Sequence, residues 1–187
     1  YTSSFVGSVR MCIRDSANAV YDGTDAVMLS GETAMGKYPV EAIATMSKVA
    51  EEAEKTKLSD NDIQVSTEED KEDITAFLAK QAVRSSIKLG VKAIVTDSYT
   101  GRTARNIAAY RGKYPVLAVC YRESTMRELA LSYGVIAVYQ PETNTSREYL
   151  HNGLKLMIDR GWITRDDLIA YIGGAFGEGG GSTFLEI

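Results

Sequence analysis

The sequence predicts a three-layer α/β fold, in which helices cover both faces of a largely parallel sheet, preceded by a separate strand–helix unit. From residue 66 onward, short runs rich in β-branched residues alternate with longer segments whose apolar residues recur at helical spacing. This alternation indicates strands joined by right-handed helical crossovers. Before that point, residues 17–56 contain one apolar run followed by one helical segment.

Residues 1–65 divide into three parts that differ in sequence pattern. Residues 1–16 show neither strand nor helix periodicity, and we expect them to be non-native or disordered. In residues 17–56, the apolar run Ala26–Leu29 is predicted to be a strand, and Pro39 suits the first position of the following helix. One face of that helix collects Val40, Ile43, Ala44, Ala50 and Ala53. The polar stretch 57–65 is predicted to be a linker.

Four helices are predicted in the domain at 66–187. The spacing of Ser66 and Glu69 fits a capping box that opens the first helix, which ends at Gly90. Its core face is predicted to contain Ile74, Phe77, Leu78 and Ala82. The second helix starts at Gly101–Ala104, Ser124 is expected to cap the third, and a capping box at Thr145 and Glu148 opens the fourth, which stops at Gly161.

Five strands separate and follow these helices. Their predicted spans are 91–96, 116–119, 135–139, 168–172 and 183–187. Only a glycine-rich turn at 177–181 joins the last two strands. Because a parallel pair needs a crossover of a dozen or more residues, the last strand should run antiparallel to its neighbour.

Composition argues against several classes of partner. The 187 residues have a formal net charge of −4 and no stretch rich in Lys and Arg, so nucleic acid is not expected to bind. No apolar stretch approaches the roughly 20 residues of a membrane helix, and we expect a soluble, cytoplasmic protein with no membrane partner. The two cysteines lack Cys-x-x-Cys spacing and the chain has one histidine, which favours neither a disulfide framework nor a metal site.

A first candidate functional segment follows Leu29. Ser30–Thr33 lies between an apolar run and a helix, where α/β folds and barrels place functional side chains, although an ordinary turn would have the same pattern. The run ANAVYDGTDAVMLSGETAMGKYPVEA at 17–42 resembles the last βα unit of the pyruvate kinase barrel. The resemblance implies that Ser30 lies near bound substrate at the mouth of the active site.

Upstream of Ala17 the resemblance stops, and residues 1–16 look like a translated adaptor sequence. The family's catalytic lysine, its metal-binding Glu and Asp and its substrate-positioning Arg and Thr belong to segments still further upstream. Phosphoryl transfer depends on such positioning and charge-stabilising groups. The resemblance therefore implies an inactive fragment that binds neither the Mg²⁺ nor the K⁺ of the intact enzyme.

The second candidate is the segment Thr96–Ala104, which joins a strand to a helix. Free N–H groups at a helix start, several hydroxyls and an arginine suit an anion, and an ordinary helix cap is the alternative. The segment resembles the loop of the pyruvate kinase carboxy-terminal domain that cradles the phosphate of a sugar-phosphate activator. The matching positions are Ser98, Thr100, Gly101, Arg102 and Thr103.

The third candidate is the glycine-rich segment Gly173–Thr183, which a tight hairpin turn alone would explain. In the family the corresponding loop closes over the effector, which implies roles for Gly179, Gly180 and Gly181. Glu178 in this loop would repel an anion, since like charges repel. The effector is therefore expected to be a monophosphate, or the site to be vestigial.

Taken over residues 17–187, the resemblance implies a sheet ordered 3-2-1-4-5 with its last strand antiparallel. In that order the ligand-binding switch point lies between strands 1 and 4, beside Thr96–Thr103. The intact parent is expected to transfer phosphate from phosphoenolpyruvate to ADP, with Mg²⁺ and K⁺, as an allosteric homotetramer. Two alternatives remain: a stand-alone sugar-phosphate-binding module, and a purely structural oligomerisation domain.

Overall fold

A computed structural model describes residues 13–56, 73–174 and 181–187 of the chain. They belong to two units, Tyr1–Asn61 and Asp62–Ile187, and the boundary falls within the stretch 57–65 that was predicted to be a linker. The conformation of that stretch lies outside the described residues. In the described part of the chain, no helix is long and apolar enough to cross a membrane.

The first unit contains three helices: α1 at residues 13–21, α2 at Gly31–Ala34 and α3 at Pro39–Thr56. Pro39 begins α3, as predicted. Residues 13–16 are helical, so of the two alternatives expected for residues 1–16 disorder is wrong at these four positions, and residues 1–12 lie outside the described part. The helix α1 continues without a break into residues that the periodicity did assign to the unit.

The predicted strand at Ala26–Leu29 is not formed. A strand pairs its backbone N–H and C=O groups with a neighbouring strand, and none occurs among the described residues of this unit. The apolar face predicted for α3 is likewise uncovered, because Val40 and Ile43 are 73% and 57% exposed. Of the residues of α3 only Ala53 is buried.

The second unit is built on a five-stranded sheet ordered β3-β2-β1-β4-β5. The pairs β1–β2, β2–β3 and β1–β4 are parallel and β4–β5 is antiparallel, which confirms the predicted topology. The strands span Ala93–Ser98, Val116–Cys120, Val135–Tyr139, Ile169–Gly174 and Ser182–Glu186.

Helices cover both faces of this sheet. They are α4 at Ile74–Leu89, α5 at Arg102–Ala109, α6 at Glu123–Leu129 and α7 at Ser146–Asp159. The first three pack on one face, where residues such as Ala82 and Ile107 belong to the same core cluster as Ile94. The other face is covered by α7, whose Tyr149 and Met157 join a second core cluster. Two separate cores thus stabilise the sheet, and α5 begins next to the carboxyl end of β1.

The start and the core face of α4 differ from the prediction. The N-cap is Asp73, whose Oδ1 accepts hydrogen bonds from the N–H groups of Thr75 and Ala76 at 2.9 and 3.3 Å. The capping box at Ser66 and Glu69 lies outside the described residues and does not open this helix. The predicted core residues Ile74 and Phe77 are 62% and 57% exposed. The predicted core residue Ala82 is buried, and Ala76, Ala79, Val83 and Ser86 are buried with it against the sheet.

The ends of the other helices mostly follow the sequence pattern. Thr145 caps α7 by accepting a hydrogen bond from the N–H of Glu148 at 3.2 Å, and Gly161 follows its end with a φ of 70°, both as predicted. The N-cap of α6 is Arg122, which makes no side-chain capping bond, so the prediction of Ser124 was wrong. The extended backbone of Arg122 starts the helix two residues earlier.

Candidate functional site

The loop between β1 and α5 is held by its own side chains. Ser98, the last residue of β1, is buried and its Oγ accepts a hydrogen bond from the N–H of Gly101 at 2.9 Å. Gly101 has a φ of 82°, in the left-handed region that glycine adopts without steric cost. These two residues turn the chain sharply, so that α5 begins directly beyond the end of the strand.

The donors predicted to bind an anion lie at the start of α5. The first N–H groups of a helix have no partner within it, and the helix dipole favours negative charge there. The side chain of Arg102 is 64% exposed, and its Nη2 donates to Oδ2 of Asp73 at 2.7 Å. Thr103 is half-buried, and its Oγ1 lies 2.9 Å from Oγ of Ser182.

The contact between Thr103 and Ser182 joins the second and third candidate segments. Ser182 begins β5, directly after the glycine-rich turn, and Gly181 lies beside it. A Cβ on Gly181 would lie 3.6 Å from Oγ1 of Thr75 near the start of α4. The starts of α4, α5 and β5 therefore converge at one edge of the sheet. Gly179 and Gly180 lie outside the described residues.

Two charged residues at this edge were missed by the sequence reasoning. Arg105 donates from Nη2 to the carbonyl oxygen of Thr100 at 2.6 Å. A Cβ added to Gly101 would lie 2.9 Å from Nη1 of Arg105. Its position four residues after Gly101, on the same face of α5, was the available signal. Asp73 could have been found as an N-cap residue immediately before the apolar Ile74.

The carboxyl group of Asp73 interacts with two helices at once. Partial burial raises its pKa, but the hydrogen bonds from Arg102 and from the N–H groups of Ala76 and Thr75, with the charge of Arg102, outweigh burial. The net effect is a pKa below the ordinary value. Asp73 therefore remains ionised next to Arg102 at neutral pH, and it neutralises part of the charge that an anion would meet.

Behind the loop, a group of tyrosines surrounds Asp97. The hydroxyls of Tyr121 and Tyr171 donate to its two carboxylate oxygens at 2.9 and 3.0 Å. Tyr121 stacks between Tyr99 and Tyr149, with ring centroids 5.2 and 4.0 Å away. Burial, aided by the Asp97 carboxylate, raises the pKa of Tyr121 and of Tyr171, so both phenols stay protonated donors. No pattern in the sequence indicated this group.

In the first unit, Ser30 is exposed and precedes the short helix α2. Its N–H donates to Oε2 of Glu32 at 3.0 Å, and its carbonyl oxygen accepts from Oγ1 of Thr33 at 3.3 Å. The three residues thus form a locally bonded turn. Among the described residues, no group of three or more His, Cys, Asp or Glu side chains could hold a metal ion.

Comparison with known proteins gives matches along most of the chain. The family model for the pyruvate kinase alpha/beta domain matches residues 76–187, and that for the pyruvate kinase barrel domain matches residues 7–43. This chain belongs to the pyruvate kinase family. The barrel match starts at residue 7, so the similarity extends further upstream than the expected limit at Ala17.

Curated relatives agree with this assignment. The chain is 36% identical over 173 residues to a pyruvate kinase of Bacillus licheniformis, and 37% identical over 174 residues to one of Geobacillus stearothermophilus. Each alignment covers 92% of this chain and 30% of the relative. A Clostridium acetobutylicum pyruvate kinase is 36% identical over 160 residues, covering 86% of this chain and 34% of the relative. The chain thus spans about a third of the relatives it matches.

Proposed function

We propose that this chain is the carboxy-terminal part of a pyruvate kinase and that it supplies a regulatory site for a phosphate monoester. The intact enzyme would transfer phosphate from phosphoenolpyruvate to ADP, giving pyruvate and ATP, in the cytoplasm with Mg²⁺ and K⁺. The family membership supports the activity of the whole protein. The observation that carries the regulatory role is the convergence of the starts of α5 and β5, linked by Thr103 and Ser182 at 2.9 Å.

The position of this convergence suits a small anionic ligand. In open α/β sheets, ligands bind beyond the carboxyl ends of the strands where the strand order reverses. Here β1 pairs with both β2 and β4, and the loop Ser98–Gly101 leaves the sheet at that point. The N–H groups at the start of α5, the guanidinium of Arg102 and the hydroxyl of Thr103 would donate to phosphate oxygens.

The ligand we propose is a sugar monophosphate. Arg102 already has a counter-charge in Asp73, at 2.7 Å, so it offers an anion less than a full positive charge. A second phosphate would need further cations, and Glu178, four positions before Ser182 in the sequence, adds negative charge to this segment. A monophosphate with neutral hydroxyls fits these charges better than a bisphosphate does.

Titration calorimetry with glucose 6-phosphate, ribose 5-phosphate and fructose 1,6-bisphosphate tests the proposal. Arg102→Ala should weaken binding of a monophosphate about tenfold or more, because a hydrogen bond to a charged group contributes roughly 1.5–3 kcal/mol. Arg147→Ala is the matched control, since Arg147 also lies in the first turn of a helix, α7, and is exposed. No heat with any of the three ligands, in a folded sample, would reject the regulatory site.

A second candidate function is homo-oligomerisation, for which the family tetramer is the expectation. It is favoured by uncovered apolar side chains on one helix: Ile74 and Phe77, three positions apart on α4, are 62% and 57% exposed. Surface apolar residues that cluster often belong to subunit interfaces. Sedimentation velocity of the chain distinguishes the candidates, because Phe77→Ser should shift an oligomer toward monomer without changing ligand binding.

A further inference from the structure

Near the candidate site, the pairing of β1 with β4 ends before the pairing of β1 with β2. Strand β1 remains paired with β2 up to Ser98 and Cys120, but its pairing with β4 ends at Thr96 and Ile172. Asp97 and Ser98 therefore continue along β2 without a ladder partner in β4. The resulting gap lies directly below the loop Ser98–Gly101, between the strand that leads into α5 and the strand that leads toward Ser182.

A side-chain hydrogen bond links the unpaired end of β1 to β4. Tyr171, in β4, donates its hydroxyl to Oδ1 of Asp97 at 3.0 Å. The other carboxylate oxygen accepts from Tyr121, which follows β2, at 2.9 Å. Asp97 is thus tied to both neighbouring strands, and its bond to Tyr171 links the unpaired end of β1 to a residue of β4 that pairs with Val95.

Gly173 provides the space for this bond. A Cβ at residue 173 would lie 2.7 Å from the Tyr171 hydroxyl oxygen and 2.7 Å from Cζ of Phe184, both closer than real Cβ contacts. Any side chain at this position would therefore push the Tyr171 ring away from its present place. The sequence alone explained Gly173 by a hairpin turn, whereas its contacts indicate that it makes room for a tyrosine.

The two tyrosines are held in different ways. Tyr121 stacks on Tyr149 at 4.0 Å and on Tyr99 at 5.2 Å, so its ring stays in place without Asp97. Tyr171 is 9% exposed and has one edge contact, with Phe184 at 5.7 Å. Loss of the bond from Tyr171 would therefore leave β4 paired with β1 only along the ladder of Ala93–Thr96 with Ile169–Ile172, with no link to the end of β1 at Asp97.

We propose that Asp97 and Tyr171 are positioning residues that fix the gap between β1 and β4 and so determine the affinity of the site for a phosphate monoester. This inference rests on the proposed regulatory function. Neither residue needs to touch the ligand. Their bond keeps Ser182, the first residue of β5, in contact with Thr103.

The test compares Tyr171→Phe with Tyr121→Phe in the complete chain. Both changes remove one phenol hydroxyl from the same carboxylate at nearly the same distance. We expect both to lower the melting temperature by a similar amount, but only Tyr171→Phe to raise the Kd for glucose 6-phosphate, by about tenfold. Tyr121→Phe should keep Kd within about twofold of the unchanged chain.

A double variant and a measurement on the unchanged chain complete the test. If Asp97 and Tyr171 act together, Asp97→Asn combined with Tyr171→Phe should bind no more weakly than the weaker single variant. Should Tyr171→Phe fail to fold, hydrogen exchange of the unchanged chain replaces it. Glucose 6-phosphate should then slow exchange in Tyr171–Gly174 as well as in Arg102–Ala104.

The outcomes separate the two proposals. If the unchanged chain gives no heat with glucose 6-phosphate, the regulatory function fails and this inference falls with it. If the chain binds but Tyr171→Phe and Tyr121→Phe change Kd equally, only the positioning role is overturned. Protection from exchange confined to Arg102–Ala104 would have the same meaning.

Discussion

At the scale of the residue, the two carboxylate oxygens of Asp73 make contacts with different consequences. Its Oδ1 caps α4, while its Oδ2 accepts from Arg102 at 2.7 Å. A phosphate that approaches Arg102 must share the guanidinium with this carboxylate or displace it. Capping stabilises the fold, whereas the ion pair competes with the proposed ligand. The two effects can be separated by substitution, because serine also caps helices but has no charge.

Asp73→Ser should therefore strengthen binding of glucose 6-phosphate. An exposed ion pair contributes about 0–1 kcal/mol, so we expect a decrease in Kd of at most about fivefold, measured by titration calorimetry. Asp73→Ala removes the cap as well, and its melting temperature should lie about 2–4 °C below that of the serine variant. An unchanged Kd in Asp73→Ser would mean that Arg102 binds the anion without competition, or does not bind it.

The lowered pKa of Asp73 predicts how stability depends on pH. A carboxyl group whose pKa is lower in the folded state stabilises the protein above its unfolded pKa, near 3.9, and this stabilisation is lost as the pH falls through the folded pKa. Urea unfolding from pH 7 to pH 3 should therefore show a stability advantage over Asp73→Asn that shrinks in acid. Asparagine retains a cap but cannot ionise. An advantage that grew in acid would contradict the assigned shift.

At the scale of the element, the turn into α5 depends on Gly101. Its φ of 82° disfavours a side chain, and an added Cβ would lie 2.9 Å from Nη1 of Arg105. Gly101→Ala should lower the free energy of unfolding by about 1–2 kcal/mol and should also weaken anion binding, because it displaces the start of α5.

Gly134→Ala is the matched control for this change. Gly134 has a φ of 63°, but nothing lies within 4 Å of the added Cβ. Its substitution should therefore cost a similar free energy of unfolding, measured in urea, and leave the Kd for glucose 6-phosphate unchanged. Equal losses of binding in both variants would show that general destabilisation, not the turn itself, explains the effect.

Predictability from the sequence differs between elements for physical reasons. The strand Val135–Tyr139 was predicted to the residue, because its β-branched run is bounded by a glycine and a polar loop. The start of α4 was wrong, since Ser66 and Glu69 fit a capping box while Asp73 forms the actual cap. The apolar residues Ile74 and Phe77 gave the wrong core face because helix packing here uses alanines, which allow a closer approach to the sheet.

The residues of the candidate site also differ in whether they could be predicted from the sequence. The residues from Ser98 to Thr103 are contiguous, so a family resemblance could indicate them. Asp73, Tyr121 and Tyr171 contact this segment only through long-range packing: Arg102 and Asp73 are 29 positions apart, and Asp97 and Tyr171 are 74 apart. No local periodicity contains such information, so the residues that support the site could be identified only from the three-dimensional structure.

At the scale of the whole molecule, the division between the barrel segment and the α/β domain bears on catalysis. The chain spans about a third of the length of the pyruvate kinases it matches, and the family's catalytic lysine and metal-binding carboxylates are expected in segments upstream of Ala17. Phosphoryl transfer relies on metal ions and cationic groups that stabilise charge on the transferred phosphate. The chain of 187 residues, purified by itself, should therefore show no turnover.

The measurement is a lactate dehydrogenase-coupled assay with phosphoenolpyruvate, ADP, Mg²⁺ and K⁺. A complete pyruvate kinase such as the one from Geobacillus stearothermophilus, in the same mixture, shows that the coupling works. We expect the chain to give no NADH oxidation above the background without protein, while the same sample binds glucose 6-phosphate in titration calorimetry. Oxidation that depends on the chain and stops when a chelator removes the Mg²⁺ would show that these residues contain catalytic groups of their own, and would refute a purely regulatory role.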